Sequence, residues 1–159
     1  MRSPVLGHAA AGSNARTVVE GEFVAQTSIL LADVNPTVLD HVRKLLQNDK
    51  QYRVVATVND GDAVLRECYR LKPDVVILDI FMGELSGIDV ARELRNCGNQ
   101  SKIVFLTVHE DQDFLNAAMG AGGSAYVVKS RVDLDLLSAV DAVLCDKLFV
   151  SSSLMYEGR

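Results

Sequence analysis

With no tryptophan, three prolines and three cysteines in 159 residues, the chain lacks the material for several functions. Cys68, Cys97 and Cys145 are odd in number, far apart and without CxxC spacing. That excludes a disulfide framework and a cysteine-built metal site, and predicts reduced, mostly buried thiols in a cytosolic protein. There is no run of Lys or Arg, and the net charge is −5. A chain of that balance does not bind nucleic acid through its own surface. Nothing approaches the ~18 consecutive apolar residues of a membrane span. Near the amino terminus, Gly7, His8 and Gly12 interrupt what would have to be a secretory apolar region. The cytoplasm is the expected location, with no membrane contact.

What is present is a repeating unit. Residues 1–27 are rich in Ala, Gly and Ser, have no sustained period, and read as a flexible extension with a short ordered piece around Thr17–Val19. From 28 to 147, short apolar runs alternate with longer stretches of helical period. The runs are Ile29–Ala32, Val54–Val58, Val75–Leu78, Ile103–Leu106 and Ala125–Val128. They are continuous rather than alternating, as strands covered on both faces must be. Between them lie helix starts: Asn35-Pro36, Asn59 or Asp60, Ser86, Asp111 or Gln112, and Asp133. The last helix is expected to bury Leu134, Leu137, Val140 and Leu144, with Leu136, Ala139 and Val143 as a second apolar stripe. Five strands alternating with five helices predict an α/β domain with a doubly wound five-stranded parallel sheet. Residues 148–159 are expected to be a tail or the start of a linker.

In such a sheet, ligands sit at the carboxyl ends of the strands, where the strand order reverses. Asp33 follows the first run, Asp79 the third, Thr107 closes the fourth and Lys129 follows the fifth. A lone Asp at a strand end is usually a helix cap, but four such groups on one edge form a set. Phosphoryl transfer to a carboxylate needs that set, because its catalysis is positioning and charge neutralisation. Two carboxylates suit Mg²⁺, a lysine meets a phosphate oxygen, and a hydroxyl donates a hydrogen bond.

These residues, with Val75–Asp79 followed by Met82 and Gly87, Leu106-Thr107, and Gly122 through Tyr126–Lys129, resemble the receiver domain of two-component response regulators. The resemblance covers about Ser28 to Cys145. Leu31–Pro36 and Phe149–Leu154 look most like the subgroup with a C-terminal helix-turn-helix, an output module that does not fit in the few residues after Val150. It implies a flavodoxin-like fold and a switch rather than an enzyme. Asp79 would accept a phosphoryl group from a sensor histidine kinase, with Thr107 and Lys129 contacting it. Asp33, Asp79 and the backbone carbonyl of Phe81 would hold Mg²⁺, and Thr107 and Tyr126 would form the switch. A homodimer through the fourth and fifth helices is a further expectation, and a separate output domain would be the part that binds DNA.

The chain departs from that family at Val34, where a second acidic residue usually ligates the metal. Valine offers no donor, so weakened Mg²⁺ binding is expected. Gly83 stands where proline is common, and Ser130 replaces the proline after Lys129, favouring a trans bond. Phe81 and His109 are expected to flank the site and Val108 is bulkier than the small residue usual there, and together they are expected to restrict attacking water and prolong a phosphoaspartate. The loop after the first run has no glycine, and Gly120–Gly123 precedes a strand, so a nucleotide-binding reading fails. A phosphatase would want a second acid where Phe81 stands. The competing reading is a degenerate receiver that binds partners without phosphorylation, for which Val34 is the support.

Overall fold

In the computed structural model, residues 16–19 and 22–155 are described. Arg16–Val19 (β1) and Glu22–Ala25 (β2) form a separate antiparallel pair, so the Thr17–Val19 piece falls in a strand. The expectation for residues 1–15 lies outside the described residues. The main sheet comprises Thr27–Ala32 (β3), Tyr52–Val58 (β4), Val75–Leu78 (β5), Lys102–Thr107 (β6), Ala125–Val128 (β7) and Phe149–Val150 (β8). Its order is β4-β3-β5-β6-β7-β8, with every neighbour parallel.

The sheet therefore has six strands where five were expected. The sixth, β8, is two residues long and pairs Phe149 with Ala125 and Val150 with Tyr126. Two residues have no period of their own, so only the pairing to β7 makes them a strand. Residues 152–155 follow as a short helix, α6.

The helices are Pro36–Gln47 (α1), Gly61–Leu71 (α2), Gly87–Asn96 (α3), Gln112–Gly120 (α4) and Val132–Leu144 (α5). Four begin on the side chains expected. Asn35 accepts from Thr37 N, Asp60 from Ala63 N, Ser86 from Asp89 N and Asp111 from Phe114 N. Each such bond satisfies an orphan donor of a first turn and contributes about 1 kcal/mol.

The fifth helix corrects two expectations. It opens at Val132 from a 3₁₀ turn over Lys129–Arg131, with Asp133 inside its first turn and no side-chain cap. Its buried face is Leu136, Ala139, Val140 and Val143, whereas Leu134 and Leu144 are exposed. The helix is apolar almost all round, so its period alone did not orient it. The second apolar stripe, Leu136, Ala139 and Val143, is core.

Alternation along the strands divides the interior in two. Ile29, Leu31, Val75, Ile77, Val104, Leu106, Ala125 and Val127 pack with α1 and α5 residues on one face. Leu30, Ala32, Val76, Leu78, Ile103, Phe105, Tyr126 and Val128 pack with α2, α3 and α4 residues on the other. Both faces are buried, which is why the strands read as unbroken apolar runs. The cysteines are free, but only Cys68 is buried. Cys97 and Cys145 are exposed, contrary to expectation. Burial pushes the Cys68 thiol up to about 12. Among the described residues no helix is long and apolar enough to cross a membrane.

One glycine ties α3 to the sheet edge. Gly87 N donates to Ile80 O at 2.6 Å. A Cβ on residue 87 would lie 1.9 Å from the carbonyl oxygen of Asp79. Backbone atoms on both sides leave nothing soft to yield. Gly87→Ala should therefore lower stability by about 1–3 kcal/mol, the usual penalty for overpacking. Urea denaturation checks it, and an unchanged midpoint would mean that the loop after Asp79 is not held as described.

Candidate functional site

β3 and β5 are adjacent in the sheet, while the chain leaves them for opposite faces. The strand order reverses there, and the first residue after each is an aspartate. Asp33 N donates to Val58 O, and its Oδ1 accepts from Asn35 N at 2.8 Å, in the turn that also makes Asn35 the cap of α1. Asp79 N donates to Ala32 O, and its Oδ1 accepts from Ile80 N at 2.7 Å. In each case a local N–H takes one carboxylate oxygen and leaves the other for the site.

Lys129 enters from the 3₁₀ turn after β7. Its Nζ lies 2.7 Å from Asp33 Oδ2 and 3.0 Å from Asp79 Oδ2. All three side chains are mostly buried. The N–H directions favour Asp79. Asp33 Oδ2 is ion-paired without an aligned hydrogen bond and so retains acceptor capacity. Burial acts to lower the Lys129 pKa, but the close contacts with Asp33 and Asp79 and their charges outweigh it and hold the group above its ordinary value of 10.5.

Thr107 ends β6 and is fully buried, and its Oγ1 accepts from His109 N at 3.3 Å. Tyr126 lies in β7 opposite Phe105, with its ring buried and its hydroxyl donating to His109 O at 2.8 Å. Its pKa is raised, first by burial and then by the charges of Asp111 and Asp79. The peptide of His109 thus joins the two expected switch residues, a link that sequence spacing does not express. The His109 ring stacks with Phe114 at 4.5 Å and meets Phe81 edge-on at 4.5 Å, while Phe81 and Phe114 are 5.7 Å apart. Phe81 and His109 were expected to flank the site; Phe114 was missed because it reads as a helix-core residue of α4.

Val34 is 51% exposed and offers no donor. Among the described residues no group of three or more His, Cys, Asp or Glu could hold a metal. Asp33, Asp79 and a main-chain carbonyl are nonetheless the hard oxygen donors Mg²⁺ takes, with water completing the shell. The spare acceptor on Asp33 fits that ion. Gly83 has φ +88, a conformation proline cannot adopt. The loop after Asp79 is therefore a turn that requires glycine, not a slackened version of a proline loop. The Lys129–Ser130 bond is trans.

The model for the response regulator receiver domain matches residues 29–141. The chain belongs to that family. It is 29% identical over 124 residues to the transcriptional regulatory protein MctR of Rhizobium johnstonii, covering 78% of this chain and 58% of that one. It therefore spans little more than half the length of that relative. A LuxR-family two-component response regulator from an Aurantimonas species superposes with TM-score 0.80 at 30% identity, covering 83% of this chain and 94% of that one. The isolated receiver domain of RcsB from Salmonella enterica serovar Typhimurium, solved with the phosphomimetic BeF3⁻, gives 0.76 at 25% identity, covering 82% and 97%. Receiver domains as a family bind Mg²⁺ at an acidic pocket.

The charge state of Lys129 fixes a pH window. Its folded pKa is raised, so its ion pairs contribute fully below the ordinary value of 10.5 and are lost as pH climbs through the higher one. Lys129→Met leaves two buried carboxylates facing each other, which costs about 3–5 kcal/mol when nothing relaxes. The stability gap between wild type and this variant, measured by urea titration, should stay constant from pH 7 to 9 and close only at pH above about 10.5. A gap that closes at neutral pH would contradict the ion pairs described.

Proposed function

We propose that this receiver is a phosphorylation switch in which Asp79 accepts a phosphoryl group from a sensor histidine kinase. The observation that carries the reading is the single ammonium of Lys129 bridging the buried carboxylates of Asp33 and Asp79. Nothing in a purely structural strand end calls for two desolvated carboxylates at that cost. In the reaction an Asp79 carboxylate oxygen attacks phosphorus, and the new P–O bond replaces the P–N bond of a phosphohistidine. The electron pair returns to the imidazole nitrogen, which takes up a proton. Asp33, Asp79 and the Phe81 carbonyl would hold Mg²⁺, which would supply charge neutralisation when bound.

The protein's own groups do the rest. The phosphoryl group brings about 1.5–2 negative charges, and Lys129 exchanges a carboxylate for a phosphoryl oxygen. Thr107 keeps its bond from His109 N and donates its own proton. Tyr126, buried and bonded to His109 O, reads the position of the same loop. The output we assign is control of a DNA-binding module, in line with the transcriptional name of the relative MctR. The net charge of −5 argues that the receiver itself is not the DNA-binding part. A phosphorylated homodimer through α4 and α5 would use outward residues such as Leu134, 70% exposed, since Leu136, Ala139 and Val143 are core.

One experiment tests acceptor and lifetime together. Acetyl phosphate and Mg²⁺ should add one phosphoryl mass to the wild type and none to Asp79→Asn. The aromatic cover of Phe81, His109 and Phe114 should keep the label for longer than seconds. Uptake by Asp79→Asn equal to wild type would sink the assignment of Asp79. No uptake at any Mg²⁺ concentration favours the second reading, a receiver that binds partners without phosphorylation, for which exposed Val34 is the specific support.

Metal binding has its own test. The pocket pairs two carboxylates with one lysine and lacks the third acid. Val34→Asp should tighten Mg²⁺ about tenfold or more, since one added carboxylate near the ion is worth at least 1.4 kcal/mol at short range. Calorimetric or fluorescence titration reads it, and equal affinities would mean that position 34 does not face the metal.

A further inference from the structure

A second buried polar network lies where β8 joins β7, behind Lys129. Ser151 follows β8 and is fully buried. Its N–H donates to Tyr126 O at 2.9 Å. Its hydroxyl oxygen accepts from Val128 N at 3.1 Å, and the hydroxyl donates to Asp135 Oδ2 at 2.8 Å. Asp135, a mostly buried acid on α5, also receives Arg131: Nε at 2.9 Å from Oδ2 and Nη2 at 3.4 Å from Oδ1.

Val128 immediately precedes Lys129, and Arg131 closes the turn that Lys129 opens. One carboxylate therefore grips the chain on both sides of Lys129, through Ser151 before it and directly after it. Packing alone does not explain this. Leu154 is buried in the apolar core and Phe149 and Val150 pack against it, so the segment docks without burying a hydroxyl and a charge. Polar groups buried in this way cost free energy unless every bond is made, and they fix one arrangement when it is.

We propose that Ser151 and Asp135 are positioning residues for Lys129, and that through them residues 149–154 sense the phosphorylation state of Asp79. The inference rests on the reading of Asp79 as acceptor. When Lys129 turns to a phosphoryl oxygen, the displacement reaches Val128 and Arg131, and both lead to Asp135. Coupling between sites is reciprocal for binding, so loosening the network must change the affinity of the occupied state at Asp79 by the factor by which occupancy changes the network.

The test uses the full chain, beryllofluoride as phosphoryl mimic and Mg²⁺. In the wild type, beryllofluoride should alter amide exchange at Val128 and across residues 150–154. Ser151→Ala and Asp135→Asn should bind it at least roughly fivefold more weakly, the lower end of ordinary coupling, and lose the exchange response. Asp135→Asn keeps the side-chain shape and stands in if Ser151→Ala does not fold. Folded variants that bind beryllofluoride as the wild type does, or a wild-type segment whose exchange does not move, overturn the inference while leaving Asp79 as acceptor. A wild type that binds none overturns both.

Discussion

The contact of Lys129 with Asp33 and Asp79 is the constraint around which this receiver is arranged. The ammonium enters from the end of β7, two strands from that of Asp79 and three from that of Asp33, so β3, β5 and β7 must hold their register closely. The apolar strands supply that rigidity. Each of β5 and β7 is buried at all four positions, and the two cores on opposite faces leave no free surface along which a strand could slip. The polar groups then appear only at the strand ends, where a local N–H fixes one oxygen of each aspartate and directs the other inward.

Charge at this contact explains why the loss of an acid at position 34 is tolerated. Two carboxylates and one ammonium leave a single net negative charge, modest for a partly solvated edge. A third carboxylate would double it and make the resting pocket depend on a cation. With Val34 the lysine balances one of the two carboxylate charges, and a single negative charge remains at rest. The consequence runs the other way once a phosphoryl group arrives, because the same lysine must then meet about 1.5–2 further charges. Under the proposed phosphorylation switch, Val34 would shift the demand for metal from the resting pocket to the occupied one.

Much of this was legible in the sequence because it is local. Each of the five long strands announces itself as an apolar run, and four helix starts are written in a single capping residue. Asp33, Asp79, Thr107 and Lys129 were found by their positions at strand ends, before any pairing was known. What escaped depends on contacts distant in sequence. β8 exists only beside Tyr126, α5 is oriented only by what it packs against, and Ser151 acquires meaning only from Val128 and Asp135. Gly83 stands where proline is common, yet its positive φ makes it a required turn residue. Backbone conformation of that kind is not expressed in composition.

The switch elements follow the same logic of shared atoms. The His109 backbone N–H donates to Thr107 and its carbonyl accepts a hydrogen bond from the Tyr126 hydroxyl, so the loop, the hydroxyl and the ring form one bonded unit. A threonine hydroxyl has two acceptor lone pairs and one proton. Accepting from His109 leaves that proton available, and no bond in the unit need break for Thr107 to meet a phosphoryl oxygen. The ring of Tyr126 is already buried against the core of α2, α3 and α4. The arrangement with Tyr126 inward is therefore a complete, hydrogen-bonded state of the unmodified chain. Under the proposed switch, phosphorylation would have only to favour it over others, with the free energy coming from new bonds from Lys129 and Thr107 rather than from rebuilding the loop. Because Tyr126 O also accepts from Ser151 N, that choice is registered at β8 as well as at the pocket.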